Sequence, residues 1–128
     1  MKEIVNCDLA PSPIGAYSQG VIYDRFIFIS GQIGINPITN ELISDDFYEQ
    51  LVQLMKNIEN ILNYSKCNFE NVAKITVFMC DLNKFNIVND CFEKIFDKKK
   101  FPARSVVQVS KLPKDALIEI DTIAIIDE

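Results

Sequence analysis

The sequence predicts an α+β fold, one mixed β-sheet with two helices packed on a single face. Three observations carry that prediction. Phe47, Leu51, Leu54, Ile58, Ile61 and Leu62 recur at offsets of three and four, which lays one apolar stripe along a helix. Val88, Cys91, Phe92, Ile95 and Phe96 repeat that period in a second segment. Around both lie short runs of β-branched and aromatic residues bounded by turn formers, the mark of strands. The resulting order, ββ-α-β-α-ββ, suits a two-layer sandwich. A chain of 128 residues, 48% hydrophobic and 24% charged, reads as one domain over 1–128. At that size a core forms without a metal or disulfide staple.

Taken in order, an extra strand is expected at 2–6. Val21-Ile22-Tyr23 and Phe26-Ile27-Phe28-Ile29 flank Asp24-Arg25, a two-residue polar break that predicts a hairpin. Gly31 to Asn40, with Gly34, Pro37 and Thr39-Asn40, reads as a loop. The long helix then starts at Ser44 or Asp45 as N-cap, with Asp45, Asp46 and Glu49 loading its first turn with negative charge. A strand at 72–80, a helix at 84–98 and strands at 105–109 and 117–126 complete the chain.

The last strand raises a problem of burial. Ile118, Ile120, Ala124 and Ile126 line one side, while Leu117, Ile123 and Ile125 line the other with Glu119 and Asp121 among them. If helices cover one face, the second is still largely apolar, and such a face is expected to be buried against other copies of the chain. A homo-oligomer follows from the pattern alone.

Composition excludes whole classes of chemistry. The chain has no His, so Ser-His-Asp and Cys-His mechanisms and His-bearing metal sites are ruled out. Acid–base work falls to carboxylates, Tyr, Lys, Cys, backbone groups or water. Eighteen acidic against thirteen basic residues give a net charge of −5, which makes nucleic acid a poor default partner. The one basic run, Lys98-Lys99-Lys100, reads as cations at the negative end of the second helix. Cys7, Cys67, Cys80 and Cys91 contain no CxxC pair, and Cys80 and Cys91 fall in apolar stretches as small core residues. The first residues lack the apolar run of a secretory signal, and no segment approaches the roughly 18 apolar residues of a membrane span. A cytoplasmic setting is expected, with an organelle as the alternative.

Only a few side chains are left as candidates for chemistry. Arg104 opens a strand after Phe101-Pro102-Ala103, and it is one of only two Arg among thirteen basic residues. Planar, bidentate recognition of a carboxylate would explain Arg rather than Lys there; a strand-end charge or an interface salt bridge would also place it. Glu119 interrupts an apolar strand, so it must be paired, hydrogen-bonded or shifted in pKa, as a base for water or as a structural partner. On neighbouring strands, Arg104 and Glu119 would make an anion clamp beside a base. Tyr17 lies in a Gly-flanked loop, either offering its hydroxyl to a ligand or anchoring the loop. Ser30-Gly31 ends a strand where Gly admits a ligand close to the backbone. Asn89 on the second helix is either solvent-exposed or a polar contact.

These segments together resemble the RidA family of enamine/imine deaminases, also known as the YjgF family. The resemblance rests on Ala10-Pro11, Ile14-Gly15-Ala16-Tyr17-Ser18-Gln19-Gly20, Ser30-Gly31-Gln32-Ile33 and Asn36-Pro37. It continues through Asn71-Val72-Ala73-Lys74-Ile75-Thr76-Val77-Phe78, Asp81-Leu82, Phe85 and Val88-Asn89. It is strongest at Phe101-Pro102-Ala103-Arg104-Ser105 and Leu112-Pro113-Lys114-Asp115-Ala116-Leu117-Ile118-Glu119-Ile120.

The resemblance implies a chorismate-mutase-like homotrimer with three inter-subunit clefts, and hydrolysis of 2-imino acids without a cofactor. Such substrates arise from 2-aminoacrylate or 2-aminocrotonate and yield 2-keto acids and ammonia, a role in limiting metabolite damage. It implies that Arg104 holds the substrate carboxylate, that Glu119 positions or deprotonates water and that Tyr17 lies at the cleft. Gly31 would offer backbone contacts near the imine nitrogen, with Ser30 and Asn89 as lesser cleft positions. Val106 stands where many members have Cys, and Phe92 where Tyr is frequent. The alternative is a non-catalytic trimer that binds small carboxylates, or a protein related to RNA or translation.

Overall fold

The polar break at Asp24-Arg25 does turn the chain. In a computed structural model, which describes residues 1–127, β2 (Gly20–Tyr23) and β3 (Phe26–Gln32) pair with Tyr23 opposite Phe26. Asp24 takes the left-handed position of the turn at φ 56°, a conformation that Asp tolerates better than most residues. Arg25 does more than complete the turn. Its carbonyl accepts from the Ile126 N–H at 2.7 Å and its Nε donates to the Ile126 carbonyl at 3.0 Å, so it pins the chain's last strand to this hairpin.

The remaining elements are β1 (Glu3–Val5), β4 (Ile35–Asn36), β5 (Glu41–Leu42), α1 (Phe47–Tyr64), β6 (Val72–Met79), α2 (Phe85–Ile95), β7 (Ala103–Gln108) and β8 (Ile118–Ile125). One six-stranded sheet runs β1-β2-β3-β8-β6-β7, antiparallel except for the β6–β7 pair. The fold class read from sequence is therefore the observed one. Three details differ. The expected loop at 31–40 instead continues β3 to Gln32 and forms a small β4–β5 hairpin, with Asn40 at φ 62° in its turn. The N-cap of α1 is Asp46, whose side chain accepts from the Glu49 N–H; Ser44 instead accepts from the Asp46 N–H. And α2 stops at Ile95, because Phe96 turns extended to bury its ring beside Phe92 and Phe69. Asp97 then binds the Lys99 N–H and the chain turns, so Lys98-Lys99-Lys100 lie beyond the helix rather than in its last turn.

Strand alternation sorts the sheet into two faces. Ile27, Ile29, Ile75, Val77, Ile118, Ile120 and Ala124 point to the helices and are buried with Leu51, Leu54, Ile58 and Leu62 of α1. The opposite face carries Phe26, Phe28, Tyr23, Ile4, Val107 and Ile125, all at least a third exposed. Their register neighbours include Ile123, Thr76, Asp121 and Glu119. The unburied face expected from the last strand is real, and it extends across the sheet.

Candidate active site

One group of candidate residues is placed by an irregularity in the β3–β8 pair. Ile29 lies opposite Thr122, but Gln32 lies opposite Ile120, so three steps on β3 face two on β8. The extra residue bulges the strand at Ser30-Gly31. Beside that bulge opens a cleft of about 390 Å³ whose lining includes Tyr17, Ser30, Gly31 and Glu119. That volume lies within the roughly 300–1,000 Å³ usual for small-molecule sites.

Glu119 points from β8 to the uncovered sheet face. A β-carbon on Gly31 would stand 2.7 Å from its Oε2, so the carboxylate occupies space that only a glycine leaves free. Among the described residues no hydrogen-bond donor or cation pairs with it. Burial first, and the neighbouring Asp121 charge second, raise its pKa above the ordinary 4.5. Tyr17 is 47% exposed, and its hydroxyl oxygen accepts from the Ile14 N–H at 3.2 Å, leaving the phenolic proton free to donate. Ser30 Oγ donates to the Ser18 carbonyl at 2.6 Å, tying the Tyr17 loop to the bulge.

Arg104 and its neighbours lie elsewhere. Arg104 pairs in register with buried Ile75, which turns its side chain to the helix side of the edge strand β7. Asn89 Oδ1 accepts from Arg104 Nη1 at 2.8 Å, and the guanidinium lies over the rings of Phe85 and Phe92. Arg104, Asn89, Phe92, Glu93, Phe101 and Pro102 line a separate cleft of about 440 Å³. No carboxylate comes within ion-pair distance of Arg104 among the described residues.

Thus Tyr17, Ser30, Gly31 and Glu119 come together, and Arg104 joins Asn89, but the two groups do not meet in one chain. Arg104 and Glu119 are not on neighbouring strands, because β6 lies between β7 and β8, and they point to opposite faces. Val106 shares the face of Arg104, as its register requires, yet it packs on the main core opposite Val77 and lines neither cleft.

Over residues 7–126 the chain matches the family described as endoribonuclease L-PSP, to which RidA and YjgF belong. The chain is a member of the RidA/YjgF family. Human 2-iminobutanoate/2-iminopropanoate deaminase is 44% identical over 125 residues, covering 98% of this chain and 90% of that protein. A Rid-family protein of unknown function from Yersinia pestis superposes with a TM-score of 0.95 at 40% identity, covering 98% of this chain and 100% of that one. RidA from an Antarctic Psychrobacter superposes at 0.93 and 35% identity, over 97% and 99% of the two chains.

Within this RidA/YjgF fold, two supporting residues escape sequence reasoning. Gln19 is buried; its Oε1 accepts from the Cys7 N–H, and its Nε2 donates to the carbonyls of Cys7, Ala10 and Pro11. It thereby holds the segment that lines the first cleft. Phe85 supplies a ring to Arg104 from the first turn of α2. Only its spacing from Asn89 and Phe92, four and seven residues, signals a shared helix stripe.

Proposed function

We propose that this chain hydrolyses 2-imino acids, the tautomers of 2-aminoacrylate and 2-aminocrotonate, to 2-keto acids and ammonia, in clefts between the subunits of a homotrimer. The observation that carries the reading is an arginine held by an amide and two rings, with no acidic partner among the described residues, together with a half-buried carboxylate that has no cationic partner among them. A substrate bearing both a carboxylate and an electrophilic carbon uses both groups. The deaminase name of the human relative supports the same chemistry.

The two halves open on opposite faces of one chain, so a complete cleft needs Arg104 from one copy and Glu119 from another. Such a head-to-tail contact closes into a ring when its rotation permits, and three copies satisfy the family expectation. Packing the uncovered sheet faces together at the centre would also bury Phe26, Phe28 and Ile125.

In the assembled cleft Arg104 anchors the substrate carboxylate, a charge-assisted contact worth ~1.5–3 kcal/mol. Glu119, ionised, takes a proton from water as the water oxygen attacks the imine carbon. The resulting amino alcohol receives that proton on nitrogen; the C–N bond then breaks and ammonia leaves, while the hydroxyl gives its proton back to Glu119 as the keto group forms. Tyr17 can donate its hydroxyl proton to the substrate, and Gly31 presents backbone groups beside the nitrogen. A protonated imine is already electrophilic, so orientation plus general-base help of ~10²–10⁴-fold is sufficient without a cofactor.

Although the family description names an endoribonuclease, RNA cleavage is less well served by this site. The chain carries a net charge of −5 and no His, and Lys98-Lys99-Lys100 line neither cleft.

To test the reading, 2-aminoacrylate is generated in situ from serine by a dehydratase, and keto-acid release is followed with wild type and Arg104→Ala. Wild type should exceed the buffer rate and Arg104→Ala should fall back to it. Equal rates for the two proteins, or no gain over buffer, would overturn the assignment.

A further inference from the structure

Phe85, Asn89 and Phe92 stand at i, i+4 and i+7 on α2, so they form one stripe, and all three meet the same guanidinium. The guanidinium carbon of Arg104 lies 5.1 Å from the ring centroid of Phe85 and 5.7 Å from that of Phe92. Both are within the roughly 6 Å at which an aromatic face attracts a cation. Asn89 accepts one Nη1 proton, and among the described residues no other acceptor takes the remaining N–H donors.

The chemistry of this cradle is selective. A carboxylate partner would orient an arginine just as well, but it would cancel the positive charge and compete with an incoming anion. Two rings and an amide oxygen fix the guanidinium without neutralising it. A single ring would let the planar group slide or rotate over its face, whereas contacts from two rings and a hydrogen bond between them restrict both motions. Phe92 is 3% exposed and locked in the core, while Phe85, 37% exposed, stands at the rim.

We propose that Phe85 and Phe92 are positioning residues for Arg104, holding its guanidinium oriented so that its N–H edge meets the carboxylate of the substrate. The assignment rests on the anchoring role given to Arg104 under the proposed function. It makes the aromatic character at 85 and 92, beyond mere bulk, a determinant of substrate affinity.

Phe85 is the residue to test, since its exposure lets it be replaced without opening the core. Phe85→Leu keeps apolar volume and loses the ring face; Phe85→Tyr keeps the face. With imino acid generated in situ, Phe85→Leu should raise KM about three- to thirty-fold while kcat changes less than about threefold. Phe85→Tyr should restore a KM close to wild type. The Kd for 2-oxobutanoate, titrated calorimetrically into the intact oligomer, should rise by the same factor in the Leu variant, and thermal melts should show all three proteins folded. If Arg104→Ala is inactive and yet Phe85→Leu matches wild type in KM and Kd, the positioning role is overturned while the anchor stands. If Arg104→Ala retains wild-type activity, the anchor itself fails, and this assignment fails with it.

Discussion

The carboxylate of Glu119 rests on Gly31, where a β-carbon would stand 2.7 Å from Oε2 and 2.8 Å from Cδ. That contact explains the glycine at the β3 bulge by space, since its φ does not lie in the left-handed region. Gly31→Ala must push the end of the Glu119 side chain aside. The side chain is flexible, so the fold should survive with little change in Tm. Displacing the proposed base by about 1 Å should nevertheless lower kcat on the order of 10²-fold. Keto-acid release assays beside thermal melts check both halves of the prediction.

Glu119 should also govern a pH response. Burial and the Asp121 charge raise its pKa in the folded chain, so the folded state holds the proton more tightly than the unfolded state. Its contribution to stability is therefore fully present below the ordinary glutamate pKa and is lost as pH rises through the raised value. Glu119→Gln should melt higher than wild type at neutral pH, lose that advantage near pH 4 and be inactive throughout. In wild type the acid limb of kcat/KM should lie above 4.5, and Asp121→Asn should move it down toward that value. Melts at fixed protein concentration and pH–rate profiles provide the comparison.

Gln19 uses one amide to make four hydrogen bonds to the backbone of Cys7, Ala10 and Pro11. Gln19→Ala takes these bonds away from the Cys7 N–H and the Ala10 and Pro11 carbonyls, while the Cys7 carbonyl keeps the Ala10 N–H, at a cost of ~2–4 kcal/mol. A Tm lower by ~6–15 °C is expected. Activity should fall as well, because the freed segment lines the cleft beside Tyr17.

Lys66 ends α1 in the left-handed conformation at φ 61°. The Lys66 N–H donates to the Asn63 carbonyl and the Cys67 N–H to the Leu62 carbonyl, the paired bonds of a Schellman cap. Glycine suits that position better than lysine. Lys66→Gly should stabilise the protein by ~0.5–1 kcal/mol, raising Tm a few degrees with unchanged activity, while Lys66→Ala should give no gain.

The sequence made the helices and the main strands legible because their apolar periods are long and unbroken. Asp24-Arg25 was readable as a turn for the same local reason. What it could not convey was which strands are neighbours. Residues 104 and 119 open or occupy strands that look adjacent in chain order, yet β6 inserts between them and pairs with both β7 and β8. Nor does a pattern within one edge strand say which face will meet a helix, so Arg104 and Glu119 could be named separately without revealing that they diverge. The end of α2 was misplaced because Phe96 continues the apolar period while its backbone already leaves the helix. Phe85 was missed as a functional neighbour because a phenylalanine in a first helical turn looks like ordinary core.

The central claim is that one cleft takes Arg104 and Glu119 from different copies of the chain, and mixed oligomers test it most directly. Arg104→Ala and Glu119→Gln, each inactive alone, are unfolded together in equal amounts, refolded and assayed for imino-acid hydrolysis. With random mixing in a cyclic trimer, about one cleft in four receives an intact Arg104 from one chain and an intact Glu119 from its neighbour. Recovery of about a quarter of wild-type activity is the predicted result. A mixture as inactive as its parents, despite demonstrated exchange of subunits, would contradict the account.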